Sequence, residues 1–184
     1  MADFIHLTNK TEYSLSEGAL PITRIAELCQ SFSMPAVGIS DNNNMFGALE
    51  FSEQISKVGV QPILGCNIKI KTPKEYLHEN IEDNDLYFYL NIFSKNNEGY
   101  ENLLKCVSNA YTFNKGNAYV TVDDLIKFKD GLIILSGGNN SILAHSTDHM
   151  ITKQSQQFVS DFKREFNDNF YIEIQRLGIV DYRL

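Results

Sequence analysis

Few residues in this chain suit catalysis by type and spacing, and each has a competing structural reading. His145 and His149 lie four apart with Asp148 between them. On a helix that spacing turns two imidazoles to one face, as zinc sites require. No third ligand or neighbouring glutamate completes the pattern, so a surface helix is expected there. Asp41 ends an apolar run and is a candidate general acid or base. Asn42, Asn43 and Asn44 behind it favour a turn, in which such side chains bond the following backbone N–H groups. Ser136-Gly137-Gly138 has the flexibility and free N–H groups to cradle a phosphate. It lacks a GxGxxG or Walker pattern, and a tight turn after a strand is the simpler reading. His6, alone in an apolar run, is expected to be packed and hydrogen-bonded in the core, and His78 to be solvated. Tyr13 and Ser14 are candidate ligand contacts, although packing under a loop accounts for Tyr13 equally well. Cys29, Cys66 and Cys106 are odd in number and far apart, which reads as buried thiols in a reducing cytosol.

The elements that must position these residues follow from periodicity. Residues 4–7 (FIHL) read as a first strand, and 8–17 as a polar turn. Pro21 suits a first helical position. Ile22, Ile25, Ala26, Cys29 and Phe32 then repeat at helical spacing. Residues 36–40 read as a buried strand, 48–58 as a helix stopped by Gly59, and 61–71 as a strand. The acidic stretch 72–85 reads as a loop. A strand over 86–94 and a helix over 97–112 follow. Thr121 is placed to cap a short helix that opens on Asp123 and Asp124. Residues 131–135 read as a strand, Phe158, Val159, Phe162 and Phe166 as a helix face, and 170–175 as a last strand. Strands and helices alternating in this way predict an α/β fold with largely parallel strands, whose chemistry gathers where strands end in loops.

Composition narrows the partners. The 184 residues are 43% hydrophobic and 21% charged, enough to bury a core. Net charge is -7, from 16 Lys and Arg against 23 Asp and Glu. A domain that holds nucleic acid unaided carries a basic stripe, because phosphate neutralisation supplies most of the affinity. No such cluster exists here, so DNA contact is expected only through a larger protein. No apolar run reaches the length of a membrane span, and no secretory signal precedes residue 20, so a cytoplasmic location is expected.

Several segments, taken in order, carry a resemblance. FIHLTNKTEYSLSEGA, MPAVGISDNNNMFGALEF, QPILGCN, NNEGYENLLKCVSNAY, DGLIILSGG and FYIEIQRLG resemble successive motifs of the PHP domain of bacterial DNA polymerase III alpha subunits. The resemblance covers essentially the whole chain, residues 1–184, and implies a PHP-type distorted β/α barrel. It further implies that the barrel continues past Leu184 and carries its last ligand pair there, so that this chain is truncated on its C-terminal side.

Active members of that family hold two or three metal ions on His, Asp and Glu at strand ends. Such clusters clamp a phosphate and activate water. Position by position, the resemblance implies that this chain has lost most of them. Thr8 and Lys10 stand at a His-x-His pair, Asn42 at the His of an Asp-His pair, Asn67 at a Glu, Tyr89 at a His, and Gly138 at a ligand after Ser-Gly. Glu17 and Asp41 remain as weak residual ligands. No bound metal, cofactor or catalytic residue is therefore expected. The implied role is a structural module of the replicative polymerase that contacts the remaining alpha-subunit domains and docks the proofreading exonuclease subunit. The polymerase chemistry, with its Mg, would lie in later domains. The alternatives are an active metal-dependent phosphoesterase or exonuclease of the same superfamily, and an independent small binding protein.

Overall fold

The structure is a computed structural model and describes residues 4–77, 87–113, 117–138, 140–144 and 153–175. Its elements run α1 (Ile22–Ser31), β1 (Ala36–Asn42), α2 (Ala48–Lys57), β2 (Gln61–Lys71), β3 (Tyr87–Ser94), α3 (Asn97–Phe113), α4 (Val122–Lys127), β4 (Leu132–Leu135), α5 (Lys153–Phe166) and β5 (Phe170–Tyr171). The strands form one sheet in the order β1-β2-β3-β4-β5. β1 with β2 and β4 with β5 are parallel, whereas β3 is antiparallel to both neighbours. Four strands thus share a direction and β3 alone is reversed. No helix separates β2 from β3 among the described residues. Only a short 3-10 turn at Lys74–Tyr76 follows β2.

Side chains alternate across the strands, so the sheet has two faces of different chemistry. Cys66, Ile68 and Ile70 of β2, Phe88, Leu90 and Ile92 of β3, and Leu132 and Ile134 of β4 are buried in one cluster. Leu103, Cys106 and Ala110 of α3 and Phe158, Phe162 and Phe166 of α5 complete it. Phe158 is its hub, with ring centroids 5.8 Å from Tyr76, 5.5 Å from Phe88, 4.4 Å from Phe162 and 6.0 Å from Phe170. A second cluster packs α1 and α2 on Val37 and Ile39 of β1. The opposite face carries an asparagine row, because the register makes Asn42, Asn67 and Asn91 partners on three adjacent strands.

Most element boundaries lie close to those the sequence predicts. Thr121 caps α4, its Oγ1 accepting from the Asp124 N–H at 3.1 Å, and Gly59 ends α2 with φ +77°. Pro21 stands one residue earlier than expected, at the cap of α1, and the Glu12 carboxylate accepts the Ile22 N–H at 3.1 Å. Two strands differ more. Residues 4–7 are not a strand. They belong to an extended segment whose His6 and Asn9 carbonyls accept the Gly38 and Ser40 N–H groups of β1, each at 2.8 Å. Three residues on that segment oppose two on β1, so the ladder slips. Asn9 fills the slip with its own amide, donating to the carbonyls of His6 at 3.1 Å and Gly38 at 3.0 Å. Gly38 permits the approach, since a Cβ there would collide with the Leu7 backbone. The last strand is two residues long and not six. β4 ends at Leu135, and Gly137, at φ +79°, turns the chain away. The Glu173 N–H is then taken by the Ser136 hydroxyl at 3.0 Å in place of a strand carbonyl.

Candidate functional site

The loop before α1 wraps the C-terminal end of β1, and Asp41 is the post it winds around. Its side chain is 1% exposed. One carboxylate oxygen accepts the Thr11 N–H at 2.7 Å and the Ser14 hydroxyl at 2.5 Å, and the other accepts the Thr11 hydroxyl at 2.7 Å. The Ser14 Oγ in turn accepts the Asn42 N–H at 3.1 Å. Thr11 and Ser14 are themselves buried. Asp41 therefore anchors the preceding loop through three donors rather than the asparagine turn behind it. Asn44 makes that turn, its side chain accepting the Phe46 N–H at 3.2 Å and donating to the Tyr13 carbonyl at 3.1 Å. Tyr13 is half-buried beside Gly47 and donates its hydroxyl to Glu50 at 2.9 Å, a carboxylate contact that raises its pKa.

Lys10 and Glu17 meet on the same loop. The Lys10 ammonium donates to Glu17 Oε2 at 2.8 Å and to Asn42 Oδ1. Lys10 is 31% and Glu17 57% exposed. The Lys10 bond, then the Asn42 amide, holds the Glu17 carboxyl below its ordinary range. The folded-state value being depressed, the pair's contribution is present above the ordinary glutamate pKa and fades as pH falls through the lower folded value. A carbon-13 NMR titration should place the Glu17 midpoint below that of a free glutamate, and Lys10→Met should return it toward the ordinary value. An unchanged midpoint in that variant would assign the shift elsewhere.

Behind this pair the asparagine row is wired to neighbouring strands. Asn91, 4% exposed, accepts the Ser40 hydroxyl at 2.7 Å and the Asn67 amide at 2.8 Å on one oxygen. Its own amide donates to Glu173 Oε2 at 2.7 Å. Gln175 donates to the other Glu173 oxygen at 2.7 Å, and its side chain lies where a Cβ on Gly138 would stand. Tyr89 is half-buried, and burial, then the Glu17 charge, raises its pKa.

The structure thus brings Lys10, Glu17 and Asn42 together, and Asn67 beside Asn42 in register. Thr8 is exposed on the N-terminal segment. His6 is exposed and not in the core, its ring edge-on to Phe4 with centroids 4.7 Å apart. The three cysteines are free and buried, and burial pushes Cys106 up to about 12. His78, His145 and His149 lie outside the described residues. Among the described residues, no group of three or more His, Cys, Asp or Glu is placed to hold one metal ion. Nor is any helix among them long and apolar enough to cross a membrane. Sequence reasoning missed Ser40, Asn91 and Glu173. The available signal was a polar residue inside each of three apolar strand patterns.

Comparison with known proteins completes the picture. The chain is 31% identical over 176 residues to the DNA polymerase III subunit alpha of Haemophilus influenzae, covering 95% of this chain and 14% of that protein. The subunit of Rickettsia felis is 34% identical over 176 residues, with 95% and 14% covered, and that of Borreliella burgdorferi 31% over 181 residues, with 97% and 16% covered. The chain therefore spans about one-seventh of the length of these relatives. Among solved structures, a protein named for metal-dependent phosphoesterases from Bifidobacterium adolescentis superposes with a TM-score of 0.55 at 10% identity, covering 85% of this chain and 74% of that one. An amidohydrolase from Chromobacterium violaceum gives 0.56 at 10% identity, covering 90% and 75%. Those two likenesses bear on the fold alone, a mixed α/β architecture shared with both. The family model for the PHP domain matches residues 6–177, and the chain belongs to the PHP domain family.

Proposed function

We propose that this chain serves as the N-terminal PHP domain of a DNA polymerase III alpha subunit and works as a non-hydrolytic structural module. The relatives over 95% of its length support the parent. The observation that carries the non-hydrolytic part is Lys10. Its ammonium, a donor with no lone pair for a metal, binds the Glu17 and Asn42 oxygens at the family's ligand positions. The remaining carboxylate, Asp41, has its oxygens committed to Thr11 and Ser14. This donor set does not fit a metal cluster. The module's work is then to hold the other alpha-subunit domains and to dock the proofreading exonuclease subunit, in the cytoplasm where replication occurs. Primer extension with Mg and the contact with DNA belong to parts of the polymerase outside this chain.

Two measurements test the proposal. Incubated with Mn and a chromogenic phosphate ester, the chain should show no turnover above buffer. Turnover that Asp41→Asn abolishes without unfolding the chain would overturn the non-hydrolytic reading. Mixed with the remainder of the alpha subunit and with the exonuclease subunit, the chain should co-elute with them in size-exclusion chromatography. Separate elution from both would overturn the docking role.

A further inference from the structure

We infer that the Lys10 ammonium is a tethered cation, supplied by the chain itself, that occupies the place a metal ion would take between Glu17 and Asn42. The inference rests on the family reading for the identity of those two ligand positions, and adds what now fills them. By the family resemblance Lys10 stands at the second position of the His-x-His pair, so on that reading its stem starts where an imidazole ligand would start. Its Nζ reaches the carboxylate of Glu17 on the loop and the amide oxygen of Asn42 at the end of β1, which lie 7 and 32 residues away in sequence. The two acceptors come from different elements, as ligands of a bound ion do, and the cation ties those elements together. The Lys10 side chain is only 31% exposed. A divalent ion entering here would have to displace a positive charge already hydrogen-bonded to the same oxygens, at a cost set by like-charge repulsion and partial burial. Metal binding normally couples to folding, because ligands assemble only in the native chain. A covalently attached cation removes that dependence. The loop is latched whether or not metal is present.

Thermal unfolding with millimolar Mn tests the inference. The protein as it stands should melt at the same temperature with and without Mn. Asn42→Asp alone adds a second carboxylate but leaves Lys10 in place, and should also ignore Mn. Lys10→Met/Asn42→Asp vacates the position between two carboxylates. Mn should raise its melting temperature by about 3–6 °C, the shift that a ligand at about ten times its dissociation constant gives a chain of this size. Lys10→Gln/Asn42→Asp supplies the same comparison if the methionine variant does not fold. An equal rise in Asn42→Asp would place Lys10 clear of the cation position and overturn the inference. So would the absence of any rise in the double variants, since the oxygens around Lys10 would then form no cation site. Neither outcome bears on phosphate-ester turnover, so failure here is distinct from failure of the non-hydrolytic reading.

Discussion

Asp41→Ala is expected to cost about 3–5 kcal/mol of stability, because it strands three donors that the fold has removed from water. The Thr11 N–H, the Thr11 hydroxyl and the Ser14 hydroxyl all point at this one carboxylate, and both residues are at most 2% exposed. Bonds to an ionised acceptor are worth roughly twice those between neutral groups, and a buried donor left without a partner loses its hydration as well. For a chain of this size the midpoint of thermal unfolding should fall by roughly 10 °C. Asp41→Asn should cost less than half as much. Its amide oxygen still accepts the Thr11 N–H and the Ser14 hydroxyl, and its NH2 faces the Thr11 Oγ1, which can accept as well as donate. An Asp41→Ala chain that melts with the wild type would remove Asp41 from its place as the anchor of the loop.

The same pair of variants separates two roles that the sequence left open for this residue. A general acid or base acts through one protonation state and tolerates little change of charge, so Asp41→Asn would abolish activity while sparing the fold. An anchor responds in the opposite order, with stability tracking the number of donors still satisfied. Three short bonds to one loop describe an anchor.

That contrast also explains which parts of the molecule were legible before the structure. Helices α1, α2 and α3 and strand β2 follow from the spacing of residues such as Ile22, Phe51, Leu103 and Ile68, because burial on one face imposes a period that the sequence must carry. The Thr121 cap was legible for a similar reason, as its partner N–H is local. The N-terminal segment was not. FIHL has strand composition, but its pairing with β1 depends on a slip that Asn9 fills and on a close approach that Gly38 permits, both set some 29 residues away. β5 was overestimated because apolar alternation over 170–175 continues past the point where Gly137 removes its partner strand. The candidate site was legible by position and not by wiring. Lys10, Glu17 and Asn42 meet through hydrogen bonds, with Asn67 beside Asn42 in register. The hub that supports them, Asn91, shows in one dimension only as a polar residue in a run of apolar ones.

Asn91→Leu should therefore be the most damaging shape-matched change on the sheet, at about 3–5 kcal/mol. Leucine keeps the branched shape and the four side-chain heavy atoms of asparagine, so no cavity forms, and the loss is polar with a smaller cost from its bulkier methyl groups. The Ser40 hydroxyl, the Asn67 amide and one Glu173 oxygen all lose their partner at once, at 2.7, 2.8 and 2.7 Å in the native arrangement. A buried donor or acceptor without a partner costs more than its bond contributed, whereas removing both ends of a bond is nearly neutral. Ser40→Ala added to Asn91→Leu should then recover about 1 kcal/mol, although Ser40→Ala alone destabilises. A double variant whose cost is the sum of the two single costs would show that the hydroxyl finds another partner. The local consequence can be read separately. Glu173 is the residue through which Asn91 holds the chain after β5, and Tyr171 beside it is 53% exposed. Limited chymotrypsin digestion should cut at Tyr171 sooner in Asn91→Leu than in a core variant matched for stability, because the anchor of that segment is lost in addition to global stability. Equal cutting rates in the two would confine the effect of Asn91 to the global fold and leave the last strand held by its pairing with β4, by Phe170 in the core and by Ser136.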